Sequence, residues 1–177
     1  MNYEAYMGLA LDQAALAAAR GEFPVGCVIV QDGQVVAQGA RTGTAHGCFM
    51  VSEVDHAEIR ALKNMEICQQ AVMPGKCTLF CTLEPCLMCY GAILLSGIGT
   101  IVYGFEDPMG GGICCDLTTL TPLYRDSRVR VVGGICRQKS LDLFYDFFNK
   151  KKNLYWKDSL LEAYTRKQKR LQDKKNK

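Results

Sequence analysis

Two short runs hold the residues best equipped for chemistry, His56-Ala57-Glu58 and Pro85-Cys86-Leu87-Met88-Cys89. One imidazole and two thiols make a soft-to-borderline ligand set of the kind that suits Zn²⁺. A structural zinc site is closed by four protein ligands. Three leave a coordination position for water, and water on the metal ionises near neutral pH. Glu58 lies two residues past the histidine, close enough to handle that water's protons without being a ligand. Cys86 and Cys89 are three apart, so on a helix they share one face and can bind one ion together. In the first turn of that helix the positive end of the macrodipole stands beside both sulfurs and favours thiolate. The pattern predicts a hydrolytic site with one zinc ion per chain on His56, Cys86 and Cys89, and with Glu58 as its acid–base group.

The same residues admit other readings at this level. The spacing of Cys77 and Cys81 also permits a closed Cys₄ site with Cys86 and Cys89, against which stands their place in an apolar strand. A merely buried His56 sits poorly with the company of Glu58 and the cysteine pair. Cys27, Cys48, Cys68, Cys114, Cys115 and Cys136 are expected to be small apolar fillers, and His46 a solvent-facing loop histidine.

The elements that must position the site follow from periodicity. Tyr3, Tyr6, Met7, Ala10, Leu11, Ala14 and Ala18 recur at helical intervals over 3–19, with Gly21 as the stop. Pro24 leads into a strand through Cys27-Val28-Ile29-Val30. Asp32-Gly33 signals a hairpin, and Gln34 to Gln38 is the returning strand. Gly39 to Asp55 has no period and is expected to be a loop. A helix is predicted from His56 to about Gln69, capped by Asp55 and facing the core with Ile59, Leu62 and Ile67. Cys77 to Thr82 is a buried strand, and Cys86 opens the next helix behind Pro85, a residue pre-set for that position.

Thr100 to Tyr103 and Val129 to Val132 are further short strands, separated by the loop around Gly110-Gly111-Gly112 and a short helix near Leu117. Helix returns from Leu141, and a last helix is predicted over about 155–170. Two hairpin strands followed by alternating helices and strands predict an α/β protein with a mixed sheet of about five strands and helices on both faces. Both halves of the metal motif fall at helix starts beside strand ends, where ligands gather in such sheets.

At 177 residues the chain most naturally makes one domain, and 49% hydrophobic content is that of an ordinary globular protein. Ten cysteines could suggest a disulfide scaffold, but the chain is too long to need one. Glu4 and Asp12 interrupt the opening stretch, which lacks the form of a secretory leader. No apolar run approaches the ~18 residues of a membrane span. These features predict a reduced, cytoplasmic protein. Its net charge of +3 is divided: residues 150–177 hold eleven Lys/Arg against three Asp/Glu, a net +8, on a body of −5. Such a tail is either a nucleic-acid arm or a solvated, solubilising helix. We expect a zinc-dependent domain over 1–153 and a basic helical C-terminal tail over 154–177.

The His-x-Glu and Pro-Cys-x-x-Cys signature is an established mark of zinc nucleobase deaminases, and at these residues the chain resembles the cytidine/deoxycytidylate deaminase superfamily. Further stretches resemble the bacterial tRNA-specific adenosine deaminases: Phe23-Pro24-Val25-Gly26, His56-Ala57-Glu58-Ile59, Thr82-Leu83-Glu84-Pro85-Cys86-Leu87-Met88-Cys89, Gly91-Ala92-Ile93 and Phe147-Phe148. The likeness spans roughly residues 1–150, and its outer parts are shared with guanine and other small-base deaminases. It implies the cytidine deaminase-like α/β/α sandwich, zinc on His56, Cys86 and Cys89, and proton transfer by Glu58. It also implies substrate contacts at Val25, Arg41 and Asp107, and a homodimer whose partner loops complete the site. On the same analogy Phe147 and Phe148 would contact RNA, although in an apolar helix stripe such residues are more often core.

Three departures fall where substrate is chosen. Arg41 stands where the tRNA deaminases carry asparagine, and it can only donate hydrogen bonds where an amide also accepts. Glu53-Val54-Asp55 replaces Pro-Thr-Ala before the histidine. Glu106-Asp107 followed by Met109 removes two positive charges expected along an RNA path. Three functions remain open from sequence: an adenosine-to-inosine deaminase of tRNA using the basic tail, a deaminase of a free base, nucleoside or small amino-heterocycle, and a zinc-stabilised interaction module without catalysis.

Overall fold

The computed structural model describes residues 1–45, 51–68, 71–151 and 153–175. His46, Cys48 and Gln69, to which the sequence assigned a loop, a filler and a helix end, lie outside them. The chain opens with α1 (Tyr3–Ala19), whose Asn2 side chain accepts from the Ala5 amide as N-cap. Strands β1 (Gly26–Gln31) and β2 (Gln34–Ala40) form an antiparallel hairpin. Asp32 and Gly33 both take positive φ there, 51° and 83°, as the tightest hairpin turn requires.

Helix α2 (Ala57–Glu66), β3 (Thr78–Leu83), α3 (Leu87–Leu95) and β4 (Thr100–Phe105) follow. Next come the short α4 (Pro122–Arg125), β5 (Arg130–Val132), α5 (Arg137–Phe148) and α6 (Leu160–Lys175). The strand order is β2-β1-β3-β4-β5, with β3, β4 and β5 parallel to one another and β1 antiparallel to both its neighbours. This is the predicted mixed five-stranded sheet.

Alternation along the strands divides the core into two layers. Val28, Val30, Phe80 and Val102 point to the face covered by α1 through Met7 and Ala10. Cys27, Ile29, Leu79, Cys81 and Ile101 point the other way and meet Ala57, Ala61, Leu62 and Met65 of α2 and Tyr90 and Ile93 of α3. Phe23 gathers Phe144, Phe147 and Phe148 of α5 at ring-centroid distances of 5.3–6.2 Å. Phe147 and Phe148 are therefore core. No helix among the described residues is long and apolar enough to cross a membrane.

Several local expectations are corrected. The N-cap of α2 is His56, without a side-chain cap bond, and Asp55 instead accepts from the Ser52 hydroxyl. Helix α2 ends at Glu66, so Ile67 is exposed and Ala57, Ala61 and Met65 do the packing that Ile67 was assigned. Helix α5 begins four residues before Leu141, and the last helix starts at Leu160 and not near 155. Cys114 and Cys115 are exposed and not fillers, whereas Cys27, Cys77 and Cys81 are buried.

Helix α6 is docked, not splayed. Leu161 and Thr165 are fully buried, Arg166 reaches Glu162 and the Phe148 carbonyl, and Lys169 pairs with Asp142. Glu106 accepts from Arg137, which lies over the Phe105 ring, and from the Tyr164 hydroxyl at 2.7 Å. The glutamate that breaks the expected basic path is thus the anchor of the last helix.

Two glycines let helices approach the sheet. A Cβ at Gly26 would stand 2.1 Å from the Ala10 carbonyl oxygen, and one at Gly39 would stand 2.2 Å from that of Ala57. Neither backbone can yield cheaply. Gly39→Ala is expected to lift the start of α2, lowering stability by about 2 kcal/mol or more and weakening metal retention. Wild-type thermal stability and zinc content in that variant would sink the argument.

A second test concerns Glu106. Burial raises its pKa, but the Arg137 and Tyr164 hydrogen bonds more than offset this and hold it below the ordinary value. The stabilisation is therefore present above the unfolded carboxylate pKa and lost as pH falls through the folded one. Glu106→Gln should lower Tm at pH 7, with the gap to wild type closing on acidification below about pH 4; a gap that stays constant would contradict it.

Candidate metal centre and base pocket

The site is built at the ends of β1 and β3, where α2 and α3 begin. His56 and Cys86 are the N-caps of their helices, both with extended backbone, and Cys89 is one turn further along α3. Their placement depends on the glycine loop after β4. Gly112 donates to the Pro85 carbonyl at 2.8 Å, Gly111 bridges to Cys86, and a Cβ at Gly112 would meet the Leu87 backbone at 2.7 Å. The glycines let this loop lie flat on the start of α3.

His56 Nδ1 stands 3.5 Å from Cys86 Sγ and 3.4 Å from Cys89 Sγ, and all three ligand atoms lie within 4.8 Å of one another. A tetrahedral ion with Zn–S of about 2.3 Å and Zn–N of about 2.0–2.1 Å would set nitrogen and sulfur about 3.6 Å apart. The residues present therefore fit zinc in both chemistry and spacing. No other group of three or more such ligands occurs among the described residues. Cys81 is buried in β3 with its thiol directed at the Val102 carbonyl, so it does not close a Cys₄ site.

Electrostatics prepares the sulfurs. Hydrogen bonds from Cys89 and His56 lower the Cys86 pKa to about 4. The same bond to Cys86, together with burial, pushes Cys89 up. Both sulfurs bind a cation as thiolates, so a proton held by Cys89 must leave when they do. Desolvation pulls the His56 pKa down, but hydrogen bonding to Cys86 and the Glu58 charge carry it above its usual value. Glu58 is 2% exposed, and its pKa is raised by burial against the opposing pull of His56. Its Oε2 has no partner among the described residues, an expensive state for a buried carboxylate oxygen and one that leaves it available.

His56, Glu58 and Cys86 line a cavity of about 20 Å³ together with Val25, Arg41 and Asp107. The structure thus brings the expected ligands, Glu58 and the expected substrate contacts Val25, Arg41 and Asp107 to one place, with Cys89 just behind the wall. Asp107 is held by Met109 and Gly110 amides on Oδ1, its own amide donates to Glu84 at 3.1 Å, and burial raises its pKa. Arg41 is 2% exposed; its Nη2 donates to the Ser52 carbonyl at 2.7 Å and to the Tyr155 hydroxyl at 3.3 Å, and lies 3.6 Å from Glu53.

The remaining wall was missed from sequence. Phe23, Leu83 and Glu84 contribute, and so do Tyr155 and Trp156 from the segment before α6. Those two rings stack at 5.1 Å and 15°, and Tyr155 donates to Glu53 at 3.0 Å. Burial pushes the Tyr155 phenol up to about 12, so it keeps its proton at neutral pH. The signal for this wall was present: the chain's single tryptophan sits beside a tyrosine in an otherwise basic run.

Residues 1–105 match the family described as the cytidine and deoxycytidylate deaminase zinc-binding region. A tRNA-specific adenosine deaminase of Agrobacterium fabrum is 34% identical over 149 residues, 83% of this chain and 94% of that protein. The chain also superimposes on a solved structure from work on A-to-I editing by tRNA:A34 deaminases at the wobble position, with TM-score 0.60 and 31% identity over 78% of this chain and 97% of that one. A guanine deaminase of Nitrosomonas europaea, 22% identical with TM-score 0.62 over 81% of this chain and 83% of that one, shares the fold.

Metal analysis of protein purified under reducing conditions should give one zinc per chain. His56→Ala or Cys86→Ala should remove it, and Cys81→Ala should retain it. Loss from Cys81→Ala with retention in Cys86→Ala would reassign the ligands.

Proposed function

This chain belongs to the cytidine and deoxycytidylate deaminase family, and we propose that it is a zinc-dependent hydrolytic deaminase acting on adenosine in tRNA. The observation that carries the chemistry is a three-ligand centre with an unpartnered, buried carboxylate beside it. His56, Cys86 and Cys89 would hold the ion, which when bound would supply Lewis-acid activation of water. Glu58 would take one proton from the water as its oxygen bonds to the ring carbon that bears the amine, and pass it to the adjacent ring nitrogen. It would then take the second proton from that oxygen and give it to the amino group, so that the C–N bond breaks, ammonia leaves and the oxygen becomes a carbonyl. Its raised pKa suits a group that must both take and give a proton near neutrality. Val25 and Asp107 shape the base pocket.

The tRNA substrate is supported by relatives of that name that align over about four fifths of the chain. Arg166 and Lys169 are engaged within the fold, but Lys167, Arg170, Lys174 and Lys175 of α6 are exposed and offer phosphate contacts. The boundary near 153 is taken as the edge of the catalytic domain, with Tyr155 and Trp156 of the C-terminal segment reaching back across it. Leu87, Met88 and Leu95 leave an apolar stretch of α3 exposed, which suits a homodimer of the kind common in such enzymes. Nine free cysteines among the described residues suit a reducing cytoplasm.

A second reading, deamination of a free base or other small amino-heterocycle, is favoured by the aromatic wall. The cavity has room for about one water, and its stacked Tyr155 and Trp156 rings offer an aromatic face to a small heterocycle.

An ammonia-release and inosine assay should separate the readings, using an anticodon stem-loop alongside adenine, guanine, cytosine and their nucleosides. The stem-loop should yield inosine at a rate that falls steeply with salt, and Glu58→Ala should cut turnover at least ~10²-fold with zinc retained. Ammonia from a free base with an inert stem-loop would favour the second reading; a fully active, zinc-loaded Glu58→Ala would remove the mechanism.

A further inference from the structure

Resting on the reading of the substrate as RNA, we propose that Trp156 is a stacking platform for the nucleotide next to the one deaminated, and that Tyr155 holds the platform in place. Both rings stand in the cavity wall with His56 and Glu58, on a stretch of chain beyond the residues that the deaminase resemblance covers. Their backbone is unusual. Trp156 has φ 51° and Asp158 φ 60°, a left-handed region that bulky side chains rarely enter. Backbone held there costs energy and persists only where its surroundings fix it, and such positions cluster at ligand sites. The turn lets two residues adjacent in sequence lay their rings face to face, at 5.1 Å and 15°.

The surroundings fix Tyr155 first. Asn153 brackets it, its side chain accepting from the Tyr155 amide at 3.0 Å and donating to the Tyr155 carbonyl at 3.2 Å. The phenol accepts from Arg41 and donates to Glu53, and Phe23 packs against both rings at 5.3–5.5 Å. Core packing does not account for the indole. It remains half-buried, and among the described residues no aromatic ring other than Tyr155 and Phe23 meets it.

Depth decides which base it meets. Glu58 is 2% exposed, so the reacting base goes to a buried floor, whereas half-buried Trp156 is followed directly by the exposed Lys157. A ring on the rim meets the next base of a strand whose target base has gone to the floor. Lys151 and Lys157, both exposed, flank the pair in sequence and supply the charge that a phosphodiester attracts. Aromatic rings set among basic residues are how single strands are held. Every base has a π-face, so the platform asks for a neighbouring base without asking which.

Trp156 is the only tryptophan of the chain, so indole fluorescence reports this one ring in the full-length protein. The test titrates the anticodon stem-loop into zinc-loaded Glu58→Ala protein, which holds the RNA without turning it over. Binding should quench the fluorescence. An abasic residue on one side of the target adenosine should abolish the quenching and weaken binding ~5- to 100-fold, the scale of one base–aromatic stack. Exchanging that base for another should cost less than about threefold. With Trp156→Ala added, the intact stem-loop should bind as weakly and the abasic one no worse, and Trp156→Phe should restore most of the affinity. Free adenosine should leave the fluorescence unchanged. Equal quenching by adenosine puts the ring on the reacting base and overturns the proposal. So does a stem-loop that wild type converts to inosine but that leaves the fluorescence unchanged, or that tolerates abasic residues on both sides; either result leaves the tRNA reading standing. A stem-loop neither bound nor deaminated defeats that reading, and the proposal with it.

Discussion

For the proposed zinc site, one imidazole nitrogen and two sulfurs have to share a coordination sphere although they arrive on different helices. At 3.4–3.5 Å between nitrogen and each sulfur, a shift of an ångström in either helix start would take the set out of reach of one small ion. The fold answers with contacts that cannot slide. Helix α2 is pressed to β2 at Gly39, and the loop after β4 lies against the start of α3 at Gly112. Between them runs β3, buried along its whole length and paired on both sides. The ligand set is as rigid as the middle of the sheet because it hangs from the middle of the sheet.

The second constraint is electrostatic. A buried carboxylate, two cysteine sulfurs and a buried guanidinium lie within one small volume. Each is costly alone. Burial raises the pKa values of Cys27 and Cys81, and the Glu58 charge adds to both; at His56 burial lowers the pKa, the Cys86 hydrogen bond and the Glu58 charge raise it, and Arg41 opposes the rise. A divalent cation on the proposed ligands would resolve most of the conflict, since it would neutralise the thiolates beside the buried carboxylate. Two of the unpartnered buried polar atoms, Arg41 Nη1 and Glu58 Oε2, belong to residues of this site.

The C-terminal segment changes what the pocket is. Glu106, pairing with Arg137 and Tyr164, ties α6 to the end of β4 just before Asp107. Tyr155 and Trp156, just ahead of α6, stand in the cavity wall, and the Tyr155 hydroxyl joins Arg41 to Glu53. Of the positions where the sequence departs from the tRNA deaminases it resembles, Arg41 and Glu53 meet at the Tyr155 hydroxyl, and Glu106 holds Tyr164 further along the same C-terminal segment.

The grouping of His56, Cys86 and Cys89 with Glu58 and the order of strands and helices were legible in the sequence, because ligand chemistry depends on residue type and short spacing, and periodicity on local geometry. The hairpin at Asp32-Gly33 and the full span of α1 belong to the same class. Contacts between distant segments decided the rest. Ile67 was misjudged because helix α2 stops before reaching it, and Asp55 because Ser52 competes for its carboxylate. Arg41 could be named from a resemblance, but that its charge is buried with one nitrogen unspent follows from packing by Tyr155, more than a hundred residues away. No local pattern encodes a wall built from the far end of the chain; only the closed tertiary structure sets which residues meet there.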